Sequence, residues 1–167
     1  IFLDATQAVG TYPVDIAGVD YLAAHGYKWL LCPRGLAFFY VSPERRAEIQ
    51  AWTGGWKSRP DPYEDYYGLP ELTEDARRLG VSLPWFAAAG GRASLELFAD
   101  LGIDRIATHN LGLARALAAD LGLPEPESPI VRLHVEDAES AAERLQDAGI
   151  ACADLIARVA DWSAAFF

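Results

Sequence analysis

The chain has 167 residues, 51% of them hydrophobic, and a formal net charge of −10. That length suffices for one domain, or one domain and a small part, and the acidic balance argues against a nucleic-acid or anionic-membrane partner. The two cysteines, Cys32 and Cys152, have no metal-ligand spacing and are too few for a disulfide framework, so a reducing cytoplasm is the expected setting. No apolar run reaches the ~20 residues of a membrane span, and Ile1-Phe2-Leu3 lacks the basic flank of a signal peptide.

Phe2-Leu3-Asp4 reads as the end of a strand. Val19–Ala24 and Leu36–Val41 are two more short strands, rich in β-branched and aromatic residues. Ser42-Pro43-Glu44 carries the signals of a helix start, a capping hydroxyl, then proline, then an acid, and the helix is expected to run to about Ala51. Thr53 to Pro70 has no apolar period and reads as a loop with Trp56, Tyr63, Tyr66 and Tyr67, aromatics that suit an interface, a substrate lid or a cover for the core. Leu83-Pro84-Trp85 opens a helix that crosses Gly90-Gly91 and stops at Gly102. Asp104 is positioned to cap the next helix, Arg105 to Leu121, which Gly122 ends. Pro124 to Pro129 is a stiff, proline-rich link, which places a domain boundary near residue 123, between 1–123 and 124–167. Beyond it, Ile130–Val135 as strand, Ala138–Ala148 as helix and Ile150–Ala153 as strand form a βαβ-like piece.

The chemistry concentrates near the start. Asp4 ends one apolar run and Lys28 follows another. In an α/β protein both project from the ends of neighbouring strands into one crevice, where open α/β sheets bind ligands. An acid and a lysine so arranged suit pyridoxal 5'-phosphate (PLP): the amine forms a Schiff base with the cofactor aldehyde, and the acid keeps the pyridine nitrogen protonated.

Asp4-Ala5-Thr6-Gln7-Ala8-Val9-Gly10 and His25-Gly26-Tyr27-Lys28-Trp29-Leu30, followed by Pro33-Arg34-Gly35 and the strand to Val41, resemble the class V aminotransferase and cysteine desulfurase family of fold-type I PLP enzymes. The likeness extends more weakly through Leu95–Leu117 and Ile130–Cys152. It implies an α/β fold: the C-terminal half of a three-layer αβα large domain, followed by a small, truncated α+β domain. It further implies that the chain is a piece of a protein more than twice as long, lacking the upstream loop that grips the cofactor phosphate and the residue that stacks on its ring. The family's active site is shared across a homodimer.

By the same resemblance Lys28 is the Schiff-base lysine, Asp4 the partner of the pyridine nitrogen, and Gln7 the contact to the phenolic oxygen. His25 stands where the family often has a phosphate-binding serine, and an imidazole can also donate a hydrogen bond to phosphate. Tyr27 replaces the usual histidine before the lysine. Trp56 lies in the segment that in relatives reaches the partner subunit's cofactor phosphate. A desulfurase needs a nucleophilic cysteine on a later loop, and Cys152 falls a few residues before it. Arg158 matches the first arginine of an R-x-R-x-S pattern, whereas Ala160 stands where the second, substrate-binding arginine is expected. The expected activity of the complete protein is transformation of a small amino acid at Cα, as aminotransferase, epimerase or lyase, with this chain inactive alone. The alternatives are a cysteine desulfurase, a non-catalytic remnant that binds a partner, and an unrelated α/β binding module.

Overall fold

The computed structural model describes residues 1–50, 54–64, 71–82 and 84–151. Its sheet has three strands in the order β1 (Phe2–Asp4), β2 (Tyr21–His25), β3 (Ala37–Val41). β1 and β2 are parallel, with Asp4 opposite Ala23, and β3 runs antiparallel to β2, with Ala37 opposite His25. Along β2, Leu22 and Ala24 are buried and their neighbours are not, the period of two that a strand imposes. Ala5, Val19, Leu22 and Ala24 form the centre of the core, and Leu3, Val9, Val14 and Tyr40 pack around them.

The helices that follow are α1 (Pro43–Arg46), α2 (Trp85–Leu101), α3 (Ile103–Asp120) and α4 (Ala138–Asp147). The chain divides into two compact units, Ile1–Pro129 and Ile130–Phe167, the second described over 130–151.

α1 is shorter than the sequence suggests. The Ser42 hydroxyl makes no capping bond, and no residue of the helix is buried. Without an apolar face to pack, a short helix has little to sustain it. Glu48 N–H instead closes onto the Arg45 carbonyl (3.1 Å), a tighter turn than the helical ladder. What holds the segment is its entry: Ser42 N–H donates to the Asp20 carbonyl (2.8 Å), and Arg45 Nε to Asp20 Oδ1 (2.9 Å).

The segment expected as a loop is folded back on itself where described. Two 3-10 turns, Trp56–Ser58 and Ala76–Leu79, are joined by Gly55 N–H to Gly80 O (3.0 Å), Ser58 Oγ to the same carbonyl (3.0 Å) and Thr73 N–H to Ser58 O (2.9 Å). Trp56 meets Tyr63 edge to face at 5.7 Å, and the Lys57 ammonium lies over the rings of both Trp56 and Trp85. Tyr66 and Tyr67 lie outside the described residues.

α2 and α3 meet at Gly102, whose φ of 77° ends one helix and starts the next. Asp104 therefore sits inside the first turn of α3 and not at its cap, where its charge still complements the helix N-terminus. Gly90 and Gly91 let α2 press onto the turn after Lys28: a methyl at position 90 would come within 2.6 Å of the Pro33 ring, and one at 91 within 2.3 Å of Leu36 Cδ1.

One expected strand is absent among the described residues, and half of another lies outside them. Residues 130–135 form no strand among the described residues, and Ile130, Leu133 and Val135 are exposed. Ile150 is drawn into the end of α4, where its N–H reaches the Leu145 carbonyl (2.8 Å) while Gly149, at φ 76°, bonds Gln146 O (2.9 Å). Cys152 and Ala153 lie outside the described residues.

Gly10 is the most constrained glycine near the sheet. Its φ is 94°, and a methyl there would lie 2.9 Å from the Trp29 carbonyl carbon and 3.0 Å from Leu30 N. Backbone cannot move aside as a side-chain tip can. Gly10→Ala is expected to destabilise the protein by roughly 1–3 kcal/mol, read as a lower urea midpoint; an unchanged midpoint would show that the two loops do not approach so closely.

Candidate active site

Asp4 and His25 end the two parallel strands on the same edge of the sheet, and both side chains are exposed there. Ala5 N–H extends the pairing by one bond, to the Ala23 carbonyl (2.8 Å). Thr6 then joins the two strand ends. Its backbone N–H donates to Asp4 Oδ1 (3.0 Å), and its hydroxyl oxygen accepts from the His25 backbone N–H (3.3 Å).

Asp4 is held below the ordinary carboxylate range. The Thr6 hydroxyl is the main cause and the Thr6 N–H the next; partial desolvation opposes them, and the positive charges of Lys28 and His25 add to the lowering. The carboxylate is thus kept ionised by hydrogen bonds to its charged form. Thr6 was not among the residues singled out from the sequence. The available signal was a hydroxyl residue two positions after a strand-ending aspartate, the pattern of a local side-chain turn.

Lys28 lies on a tight loop after β2. Cys32 N–H closes the loop onto Gly26 O (2.9 Å), Leu31 N–H closes an inner turn onto Lys28 O (3.0 Å), and Gly26 N–H bonds Leu36 O (3.0 Å). Leu31 adopts φ 56°, rare for a residue with a side chain, so the loop holds local strain next to the lysine. The lysine side chain is exposed, and its charge reaches Asp4.

Gln7 follows Thr6, and its Oε1 accepts a hydrogen bond from the Trp29 indole Nε1 (3.1 Å). His25 packs against Tyr27 with ring centres 5.2 Å apart, and the Arg34 guanidinium sits 4.5 Å over the other aromatic partner, Tyr27. The structure therefore gathers Asp4, Gln7, His25 and Lys28 along one strand edge and its two loops. A groove of about 420 Å³ lies beside this edge, lined by Gly10, Trp29, Leu31, Phe98 and His109 among others. None of the four lines this groove.

Cys32 is buried, and burial pushes its thiol up, which disfavours the reactive thiolate. Cys152, Arg158 and Ala160 fall outside the described residues. Among the described residues, no group of His, Cys, Asp and Glu side chains is arranged to hold a metal ion, and no helix is long and apolar enough to cross a membrane.

A mixed α/β unit with an acid ending β1 and a lysine on the loop after the neighbouring β2 fits the class of a fold-type I PLP-enzyme scaffold. The family model for aminotransferase class V matches residues 1–154, and the chain belongs to that family. Among curated relatives, an uncharacterized aminotransferase of Bacillus subtilis is 32% identical over 112 residues, 65% of this chain and 29% of that protein. An isopenicillin N epimerase of Streptomyces clavuligerus is 30% identical over 146 residues, 76% of this chain and 35% of the relative. A probable cysteine desulfurase of Methanothermobacter thermautotrophicus is 29% identical over 119 residues, 70% and 29% respectively. The chain thus spans about a third of the length of these relatives. Among solved structures, apo cysteine desulfurase from Thermococcus onnurineus matches with a TM-score of 0.69 at 23% identity, over 89% of this chain and 40% of that one. A C-DES mutant with glycine covalently linked to its PLP cofactor matches with a TM-score of 0.74 at 23% identity, over 86% and 41%. These two show the shared fold.

The Thr6 contacts carry a pH consequence. Because the Asp4 carboxyl is lowered on folding, its contribution to stability is present above the unfolded carboxylate value and is lost as pH falls through the folded one. Thr6→Val removes the hydroxyl donor. The Asp4 pKa should rise toward the ordinary value and the acid-side loss of stability should become shallower. Carboxyl 13C NMR titration reads the first effect; an unshifted Asp4 would mean that Thr6 does not set its ionisation.

Proposed function

We propose that the whole protein binds PLP covalently at Lys28 and transforms an amino acid at Cα, as an aminotransferase, epimerase or lyase. The observation that carries the reading is the ionised Asp4, hydrogen-bonded at the end of β1 with the Lys28 charge in its field, in a chain of the class V family. The donor set fits the cofactor: a primary amine for its aldehyde, a carboxylate for its ring nitrogen, an amide for its phenolic oxygen and an imidazole for its phosphate.

When bound, PLP supplies a ring that accepts electron density from the substrate Cα. Asp4 Oδ holds a proton at the ring nitrogen, so that the ring keeps its positive charge. Gln7 binds the phenolic oxygen, and the His25 imidazole donates to the phosphate. Lys28 Nζ would anchor the cofactor and would be placed to take or return the Cα proton of the substrate. Thr6 holds the Asp4 carboxylate in the form this task requires. A homodimer, in which Trp56 reaches toward the partner's cofactor phosphate, a domain boundary near residue 123, and a cytoplasmic setting belong to the same reading.

Borohydride reduction of the PLP-loaded protein should fix the cofactor on the peptide containing Lys28, and Lys28→Ala should abolish that label. Asp4→Asn should lower turnover by at least ~10²-fold, the scale of losing one preorganised electrostatic partner. A label on another lysine would overturn the assignment.

The desulfurase relative favours a second reading, in which cysteine is the substrate and Cys152 the sulfur acceptor. A panel of amino acids separates the two. The first reading expects keto-acid release or inversion at Cα with no sulfide that depends on Cys152. Sulfide released from cysteine and lost with Cys152→Ala would establish the second.

A further inference from the structure

Gln7 is required by the functional reading to present a donor, because the phenolic oxygen of the cofactor is an acceptor. A glutamine side chain offers either an oxygen or an NH2 at nearly the same place, and nothing in its own chemistry selects which. The side chain is exposed, so packing does not select either. The Trp29 indole does. Its Nε1–H is a donor and never an acceptor, and it lies 3.1 Å from Gln7 Oε1. The reversed amide would set two N–H groups against each other.

We infer that Trp29 is a positioning residue that locks the Gln7 amide with its oxygen toward the indole and its NH2 free to donate to the cofactor. The inference rests on the functional reading above and deepens it. Trp29 is itself fixed by the glycine loop: the Trp29 carbonyl group lies against Gly10, where any side chain would collide with it. Gly10 closes the motif that contains Gln7, and Trp29 directly follows Lys28. The amide orientation is therefore tied to the placement of the lysine loop, through one hydrogen bond and one close backbone approach.

Loss of the lock leaves Gln7 free to turn its oxygen toward the cofactor. The phenolic oxygen then loses a donor that stabilises its negative charge and holds its shared proton more tightly. The visible absorbance transition of the bound cofactor should accordingly move to higher pH.

The test is a spectral pH titration of the PLP-loaded whole protein and its variants, together with the cofactor dissociation constant. Gln7→Leu should raise the transition by roughly 0.5–1 unit. Trp29→Phe, which keeps an aromatic ring and removes the N–H, should raise it by most of the same amount, and the double variant should add nothing beyond Gln7→Leu. If Trp29→Phe does not fold, benzothienylalanine at position 29 replaces the N–H by sulfur at constant shape and should give the same shift. A transition unmoved by the position-29 replacements but moved by Gln7→Leu overturns the role of Trp29 and leaves the functional reading intact. A transition unmoved by Gln7→Leu, with the cofactor still on Lys28, overturns Gln7 as the phenolic contact and Trp29 with it. Absence of cofactor from Lys28 overturns the functional reading as well.

Discussion

The parallel pairing of β1 with β2 is the constraint on which the candidate site depends. With Asp4 opposite Ala23, the strands end at the same edge, and the last bond of the pairing, Ala5 N–H to Ala23 O, leaves Thr6 beside His25. A slip of one residue would turn every side chain of β1 to the other face. Asp4 would leave the edge, and Ala5 would leave the core where it is fully buried. The small Ala5 and Ala24 at the core centre fit this close pairing, and Leu22 and Val19 supply the apolar area that fixes the register.

A second layer of constraint joins the loops that leave those strands. Gly10 lies against the backbone of Trp29 and Leu30, and the buried Thr11 hydroxyl accepts from Asn110 Nδ2 at 2.8 Å, which ties the loop after β1 to α3. On the other side, Gly90 and Gly91 bring α2 against Pro33 and Leu36, and Ser94 Oγ donates to the Leu31 carbonyl (2.8 Å). Helices distant in sequence thus hold the lysine loop from behind. The positive φ of Leu31 fits this arrangement, since a strained residue persists where its surroundings over-determine it.

The family and the site bear on each other in a specific way. The relatives that the chain matches carry aminotransferase, epimerase and desulfurase names. In the proposed reading the lysine, the acid and the glutamine serve the cofactor, whose chemistry is common to all three reactions. In the same reading the reaction is selected by groups that meet the substrate, and this chain spans about a third of the relatives' length.

The sequence alone determined the α/β class, the three strands near the start, the two long helices and their glycine stops, because each rests on local periodicity or on a residue with restricted backbone options. The family motifs pointed to Asp4, Gln7, His25 and Lys28 as candidates, since the order of residue types along the chain carries that resemblance. Local signals misled at the short helix after Ser42, where no buried face sustains the cap-and-proline start, and at residues 130–135, where an apolar run has no strand to pair with among the described residues. Only the tertiary structure brought Thr6 between Asp4 and His25 and set the Trp29 indole against the Gln7 amide. The reason is physical: a side-chain hydrogen bond between segments some twenty residues apart is decided by strand register and loop closure, to within a few tenths of an ångström. Composition and spacing along the chain do not encode that distance.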